Sequence, residues 1–409
     1  MVVYQRNDFL QTTCKDNQQE FVVDNDFLRF LFIYLHCLGR LPFAWLPPLH
    51  CLFESKGQKP LGKFGKFIAA SGFQEKGITM KSLQEYTRWK KGMTPHGKSD
   101  LRKSVWQLVN SIVPFILLWG LAYASMTVSI WIALALAIPA AGFLVRIFII
   151  FHDCCHQSFF AGKKANAIIG TITGILTFFP FDQWKNEHSI HHATSGNLTR
   201  RGTGDIWTLT TKEYAALSPW RRLGYRLYRN PFVMFGLGPI FLFMIEYRMN
   251  RKGAKRKERM NTYFTNATLA GLMGLLCWTL GWKEVLLIQG LILYLSGVAG
   301  IWLFYVQHQF EGAYYEHADE WDYVSAAIHG SSYYKLPRIL QWMTGNIGFH
   351  HIHHLDPQVS NYNLQQIHES NAAMQDVPAI GLRLSLRALR YRLWDESSKR
   401  FVGFRGLKG

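Results

Sequence analysis

Four stretches of about 20 apolar residues each, at 106–126, 128–151, 263–282 and 285–305, constrain this chain more than any other feature. Each can cross a hydrocarbon core roughly 30 Å thick as an α-helix. Backbone immersed in lipid must satisfy its own hydrogen bonds, so such stretches are read as spanning helices and not as irregular chain. Only Thr127 separates the first pair, and only Lys283 and Glu284 the second, so each pair predicts a helical hairpin. Charged residues make up 18% of the chain against 49% hydrophobic, which excludes disorder and fits poorly with a fully soluble surface.

Two shorter apolar stretches, 165–181 and 231–247, lie at the low end of spanning length. The net charge of +18 helps to place them, because its basic residues stand in blocks between the apolar runs. Arg221, Arg222, Arg226 and Arg229 form one block, residues 248–259 a second, and Arg383, Arg387, Arg390 and Arg392 a third. Basic blocks beside spans mark the cytoplasmic side. The 231–247 stretch has such a block on each side, so it reads as re-entrant or interfacial. The 165–181 stretch lies between two histidine clusters that should share a compartment, so it also belongs in the interface. Six spans would put those clusters on opposite sides. The predicted fold is therefore an all-α integral membrane protein with four transmembrane helices in two hairpins. Re-entrant or interfacial helices and a cytoplasmic helical cap complete it, and the cap holds a histidine-rich dinuclear metal site.

Both ends of the chain depart from this pattern. Residues 27–53 are apolar but are broken by Arg29, Arg40, Pro42, Pro47 and Pro48, and the acidic segment before them lacks the basic start of a secretory signal. Met80 opens a more ordinary approach to the first span, KSLQEYTRWKKGM. Residues 1–79 are expected to be either a peripheral extension or a stretch ahead of a natural start at Met80, and residues 80–409 a membrane domain. Near the other end, Leu382, Leu386, Leu389 and Leu393 fall on one helical face, and Arg383, Arg387 and Arg390 on the opposite one. That spacing predicts an amphipathic helix lying on anionic lipid or packed on the cap.

Sixteen histidines carry the chemistry, and nine of them fall in four places. His152 and His156 stand at i and i+4 in HDCCH. His188, His191 and His192 stand at i, i+3 and i+4 in HSIHH, and His350, His353 and His354 repeat that spacing in HHIHH. His308 follows the fourth span. Residues at these spacings share one helix face, so each cluster can aim two or three imidazoles at one point. Amphipathic surface histidines do not produce three such clusters on one side of a bilayer. His351 points off the shared face and reads as structural, and His36, His50, His96, His317, His329 and His368 belong to no group.

Counting ligands then narrows the metal. Zinc is satisfied by four ligands or by three and a water, so nine imidazoles imply two ions. Calcium and magnesium want oxygen, whereas imidazole suits iron, copper, nickel and zinc. Six cysteines without CxxC spacing exclude a disulfide framework or zinc ribbon. An all-nitrogen pair beside a bilayer points to oxygen chemistry on a lipid, since hydrolytic two-metal sites work on polar substrates in water.

The segments HDCCHQSFF, HSIHHATSGNLTRRGTGD and GNIGFHHIHHLDP resemble the three histidine boxes of membrane fatty acid desaturases, most closely the bacterial acyl-lipid type. YVQHQFE carries the additional histidine, and the resemblance covers about residues 80–409. It implies an O2-dependent enzyme that introduces a cis double bond into an acyl chain, in a bacterial cytoplasmic membrane with its site facing the cytoplasm. It implies two iron ions on His152, His156, His188, His191, His192, His308, His350, His353 and His354, with O2 as co-substrate. The chain has no HPGG segment of the kind that marks a fused cytochrome b5. Electrons would then come from a separate ferredoxin or flavodoxin. A hydroxylase or carotenoid ketolase built on the same boxes is the alternative. A metal transporter would want ionisable residues inside the spans, where Arg146 stands almost alone.

Asp153, Glu187, Asp205 and Asp356 are candidates to orient the ligands from behind, since metal-binding histidines usually hand their second nitrogen to an acceptor. Arg221, Arg222, Arg226 and Lys252 are candidates for a lipid head group. An apolar channel walled by 106–151 and 263–305 would hold the acyl chain.

Overall fold

The computed structural model describes residues 97–406, together with Thr87 and Met93. The expectations for residues 1–79 and for a start at Met80 lie outside the described residues. Helix α1 (Leu101–Ser125) begins where the Asp100 side chain accepts a hydrogen bond from the backbone N–H of Lys103 at 3.0 Å. A four-residue turn leads to α2 (Ile130–Cys155), which packs along α1. The second hairpin is α8 (Arg256–Leu280) and α9 (Trp282–His308). Its turn is the single residue Gly281, not Lys283 and Glu284 as expected, and those two residues open α9. Gly281 has φ +92°, a backbone conformation that glycine adopts without the strain any side chain would bring.

The faces of these helices are reversed relative to a soluble bundle. In α1 the buried side holds Ser104, Gln107 and Ser111, while Trp106, Val113, Ile116 and Leu117 point outward. Polar contacts lie inside: Trp119 Nε1 donates to Gln289 Oε1 at 3.0 Å, and Tyr123 Oη to the Leu280 carbonyl at 2.8 Å. Water would reject such an exterior, and lipid accepts it.

By length and composition α1, α2 and α9 are each able to cross a membrane, and up to five spans result if two bent helix pairs are counted. Helix α8 has the length but is more polar, because it carries a basic first turn and then Asn261, Thr262, Thr265 and Asn266. The 165–181 stretch is not one element. It becomes α3 (Lys163–Leu176), which breaks at Phe178 (φ +66°) and turns by 100° into α4 (Phe181–Thr194). The 231–247 stretch is equally irregular. A π-helix at Phe232–Leu237 runs into α7 (Gly238–Met244), with Pro231 and Pro239 each removing a backbone donor.

Short helices fill the rest: α5 (Thr211–Ala216), α6 (Pro219–Tyr228), α10 (Tyr323–His329), α11 (Arg338–Met343), α12 (His350–Leu355), α13 (Asn361–Ser370), α14 (Ala372–Gln375) and α15 (Leu382–Ser385). The region is not wholly helical, as the all-α reading expected. Strand β1 (Leu209–Thr210) pairs parallel with β4 (Leu393–Asp395), which pairs antiparallel with β5 (Arg400–Val402). A second sheet joins β2 (Tyr333–Lys335) and β3 (Ala379–Gly381) in parallel.

The amphipathic helix expected over 382–393 does not form as one element. Helix α15 gives way to a 3-10 turn at Leu386–Arg390, and Leu393 is buried in β4. The periodicity is overridden because Tyr305 Oη takes the Ala388 and Tyr391 carbonyls at 3.0 Å, and strand pairing takes the residues that follow.

Candidate metal centre

Helix α2 runs four residues past the predicted end of its span, to Cys155, and this extension carries the first histidine pair. His152 lies in the last turn and His156 caps it, 4.8 Å apart between ring centroids. Helix α4 supplies His188, His191 and His192, α9 ends on His308, and α12 supplies His350, His353 and His354. Eight of the nine residues are buried, and His156, partly exposed at its helix end, still buries Nε2.

All nine predicted rings come together, but not as three clusters each aimed at one point. His152, His156, His188, His192 and His353 make one group, and His191, His308, His350 and His354 another. Within each group the ligand nitrogens lie within 4.8 Å of one another. Each HxxHH helix therefore serves both groups: α4 sends its i, i+4 pair to the first and His191 to the second, while α12 does the reverse. The groups touch where His192 stacks on His354 at 4.1 Å.

The nitrogens fit a pair of metal ions. His192 Nε2 lies 3.1 Å from His188 Nε2 and 3.0 Å from His353 Nε2, and His350 Nε2 lies 3.0 Å from His308 Nε2. Imidazoles bound at about 2.0–2.1 Å on adjacent octahedral positions would stand about 3.0 Å apart. His156, His191 and His354 each bury an Nε2 that has no hydrogen-bond partner among the described residues. Burial first, and then the neighbouring rings, push His350, His353 and His354 well below the usual histidine range. Neutral imidazoles are what metal ligation requires.

Asp205 and Asp153 stand behind rings. His191 Nδ1 donates to Asp205 Oδ1 at 2.5 Å, and His152 Nδ1 to Asp153 Oδ1 at 3.0 Å. Glu187 accepts from Tyr247 Oη at 3.1 Å and from Gln183 at 3.3 Å, and Asp356 accepts from the Gln358 N–H at 3.1 Å. His308 donates instead to the Gly330 carbonyl at 3.2 Å. His351 belongs to neither group, and its Nε2 donates to the Met374 carbonyl at 3.2 Å. Cys154 and Cys155 turn into the apolar core. Arg222 and Arg226 contact Tyr214, and Arg221, Arg226 and Lys252 are exposed.

Further residues of the site were not singled out from the sequence. Trp184 stacks on His188 at 4.2 Å from one helical turn earlier, a spacing that could have drawn attention to it. Phe304 lies 5.0 Å from His191 and 5.2 Å from His308, again one turn ahead of a ligand. Asn361 holds Asp153 Oδ2 through its backbone N–H at 2.7 Å and Nδ2 at 2.8 Å, and it accepts from Gln107 Nε2 at 2.9 Å. No local signal marks that contact. Gly204 has φ +69°, and a Cβ there would come within 3.1 Å of the His191 Cβ, so glycine lets Asp205 approach its ring.

The family model for fatty acid desaturase matches residues 129–384, which include all nine histidines. The chain belongs to the fatty acid desaturase family. This desaturase is 56% identical over 318 residues to a fatty acid desaturase of Bacillus subtilis, across 78% of its own length and 90% of the other. It is 26% identical to the chloroplastic omega-6 fatty acid desaturase of Arabidopsis thaliana, covering 59% of this chain and 53% of that one. With a Synechocystis enzyme named sn-1 acyl-lipid omega-3 desaturase (ferredoxin) it shares 25% identity over 55% of its length and 63% of the relative's. The desaturase is thus an oxidoreductase of the membrane, with three to five helices able to cross it.

Proposed function

We propose that the chain is an O2-dependent acyl-lipid desaturase that introduces a cis double bond into an unactivated acyl chain at a histidine-ligated di-iron site. The observation that carries the reading is the division of nine histidines into adjacent groups of five and four. One iron ion would be held by His152, His156, His188, His192 and His353, and the other by His191, His308, His350 and His354. When bound, the pair supplies O2 activation and removal of two hydrogens from the chain. The protein's own contribution is to keep His350, His353 and His354 neutral through burial, to orient His191 and His152 through Asp205 and Asp153, and to exclude water with Trp184, Phe151 and Phe304.

Parity supports four spans, α1, α2, α8 and α9. His188 at the end of α4 lies 4.7 Å from His152 at the end of α2, so the bent pair α3–α4 returns to the side it left. His308, at the end of α9, lies 4.7 Å from His191, so one further crossing must precede α9. Helix α8, which has the length, would supply it, with the 231–247 segment lying in the interface. The basic 248–259 block before α8 favours the cytoplasm of a bacterial cell for the histidine side.

The same reading starts the enzyme at Met80 and gives it a separate electron carrier, a ferredoxin or flavodoxin, in line with the Synechocystis relative's name. Arg221 and Lys252 are exposed and would meet a lipid phosphate, together with Arg222 and Arg226 on α6. The acyl chain would lie between the α1–α2 and α8–α9 hairpins with a closed end as its ruler. An apolar pocket alone distinguishes one methylene by only about 1–3 kcal/mol. The test is expression in a host that makes no polyunsaturated lipid, followed by mass-spectrometric location of the new double bond. A new double bond at one position supports the reading, and a hydroxylated or unchanged lipid pool overturns it.

A further inference from the structure

Strands β2 and β3 run parallel, with Tyr333 opposite Ala379 and Lys335 opposite Gly381. Chain leaving the two strands therefore emerges at the same edge, into α11 on one side and α15 with its 3-10 continuation on the other. Both segments turn large apolar side chains outward: Ile339 (69% exposed), Leu340, Trp342, Leu382, Leu384 and Leu386 (59%). Lys335, Arg338, Arg383, Arg387 and Arg390 are exposed among them. None of these five cations forms an ion pair with a described residue, although Glu311 stands nearby through its bond to Tyr391 Oη. We propose that this double segment is a ledge that seats the enzyme on anionic phospholipid, with apolar side chains in the acyl boundary and the basic ones on head-group phosphates.

Its level in the bundle favours a bilayer. Trp342 receives Arg146 over its ring at 4.0 Å and packs edge-on against Phe143, while Met343 lies against Gly142. Arg146 stands about 22 Å along α2 from Trp131, at 1.5 Å per residue. That places it in the half of a hydrocarbon core roughly 30 Å thick nearer the end of α2 that carries His152. A soluble acidic protein would also satisfy the arginines, but it would leave six large apolar side chains to water. The ledge is fastened to α9 as well, because Tyr334 Oη accepts from Trp302 Nε1 and bonds Ser385 Oγ, both at 3.1 Å. Immediately beyond α11, the Gly348 carbonyl accepts from the Tyr334 N–H at 2.7 Å, two residues before His350. The lipid seat and the third histidine box are thus one continuous piece of chain.

The test uses full-length protein purified in detergent and titrated with fluorescent phosphatidylglycerol or phosphatidylcholine, without turnover, so its outcome is separate from that of the desaturase assay. Wild type should hold the anionic lipid at least about tenfold tighter than the zwitterionic one. The exposed-site variant R383Q/R387Q/R390Q should lose that preference, and R383K/R387K/R390K should keep it. Equal binding of both lipids by wild type, or an undiminished preference in the glutamine variant, would overturn the proposal. So would a glutamine variant that keeps its lipid preference but no longer accepts electrons from an acidic iron–sulfur protein, since the patch would then belong to the carrier.

Discussion

Removing the Asp205 carboxylate should weaken one of the two metal positions and spare the other. Asp205 is mostly buried, and its Oδ1 stands 2.5 Å from Nδ1 of a fully buried His191, which belongs to the group of four. The contact fixes the tautomer that leaves Nε2 free to join His308, His350 and His354. Losing such a partner typically costs about 10- to 100-fold in metal affinity, or about 1.4–2.8 kcal/mol. Asp205→Ala should therefore fall in that range. Asp205→Asn, which keeps an acceptor without its charge, should stay near the tenfold end, because charge-assisted bonds are roughly twice as strong as neutral ones. Iron per chain, measured by mass spectrometry after a graded chelator challenge, should fall from about two to about one in the alanine variant. The matching change on the other side, Asp153→Ala, should strip the group of five first. If Asp205→Ala keeps both ions at wild-type chelator resistance, or loses both together, the assignment of His191 to a separate group is wrong.

His191→Ala should abolish product while the protein remains in the membrane fraction, because the spanning helices satisfy their backbone without metal. Lipid analysis beside an immunoblot separates those outcomes, and loss of the protein itself would point to a structural role. His351→Ala should cost about 2–4 kcal/mol of stability through its cavity and the orphaned Met374 carbonyl, yet retain both ions. Equal iron loss in His351→Ala and His350→Ala would contradict the register of α12. Burial lowers the His351 pKa to about 3, below an ordinary value near 6.5. Its contribution to stability should thus be intact above pH 6.5 and decline as the pH falls toward 3, so wild type should gain more thermal stability over His351→Ala at pH 7.5 than at pH 5. A chain beginning at Met80 should still desaturate lipid in cells. Normal expression without product would instead assign residues 1–79 to the enzyme.

What could be read in advance was whatever repeats along one helix. The ligand spacings at 152/156, 188/191/192 and 350/353/354 declare themselves because one turn brings those positions to one side. Their division between two points does not, since i+3 and i+4 differ by about 100° and only the arriving partner helix decides which neighbour each joins. Asp205 was within reach as an acid close to a box in sequence. Asn361 was not, because it meets Asp153 across 208 residues. The 382–393 segment misled for the opposite reason. Its helical period is real, but carbonyls at Ala388 and Tyr391 are claimed by Tyr305, and Leu393 is claimed by a strand. Local pattern speaks reliably for residues whose partners are local.

The sharing of α4 and α12 between the two groups bears on what would hold two ions apart. Adjacent residues on each helix, His191 with His192 and His353 with His354, send their rings to different groups, with centroids 5.5 and 5.9 Å apart. The spacing between the two positions is thereby set by covalent backbone at two places. Among the described residues neither group contains a carboxylate. Such a site resembles a fixed-gap jaw: if two ions were bound, the protein would resist a collapse of the distance between them. Replacing iron with a redox-inert ion of similar size should accordingly leave the jaw unchanged and silence only the chemistry.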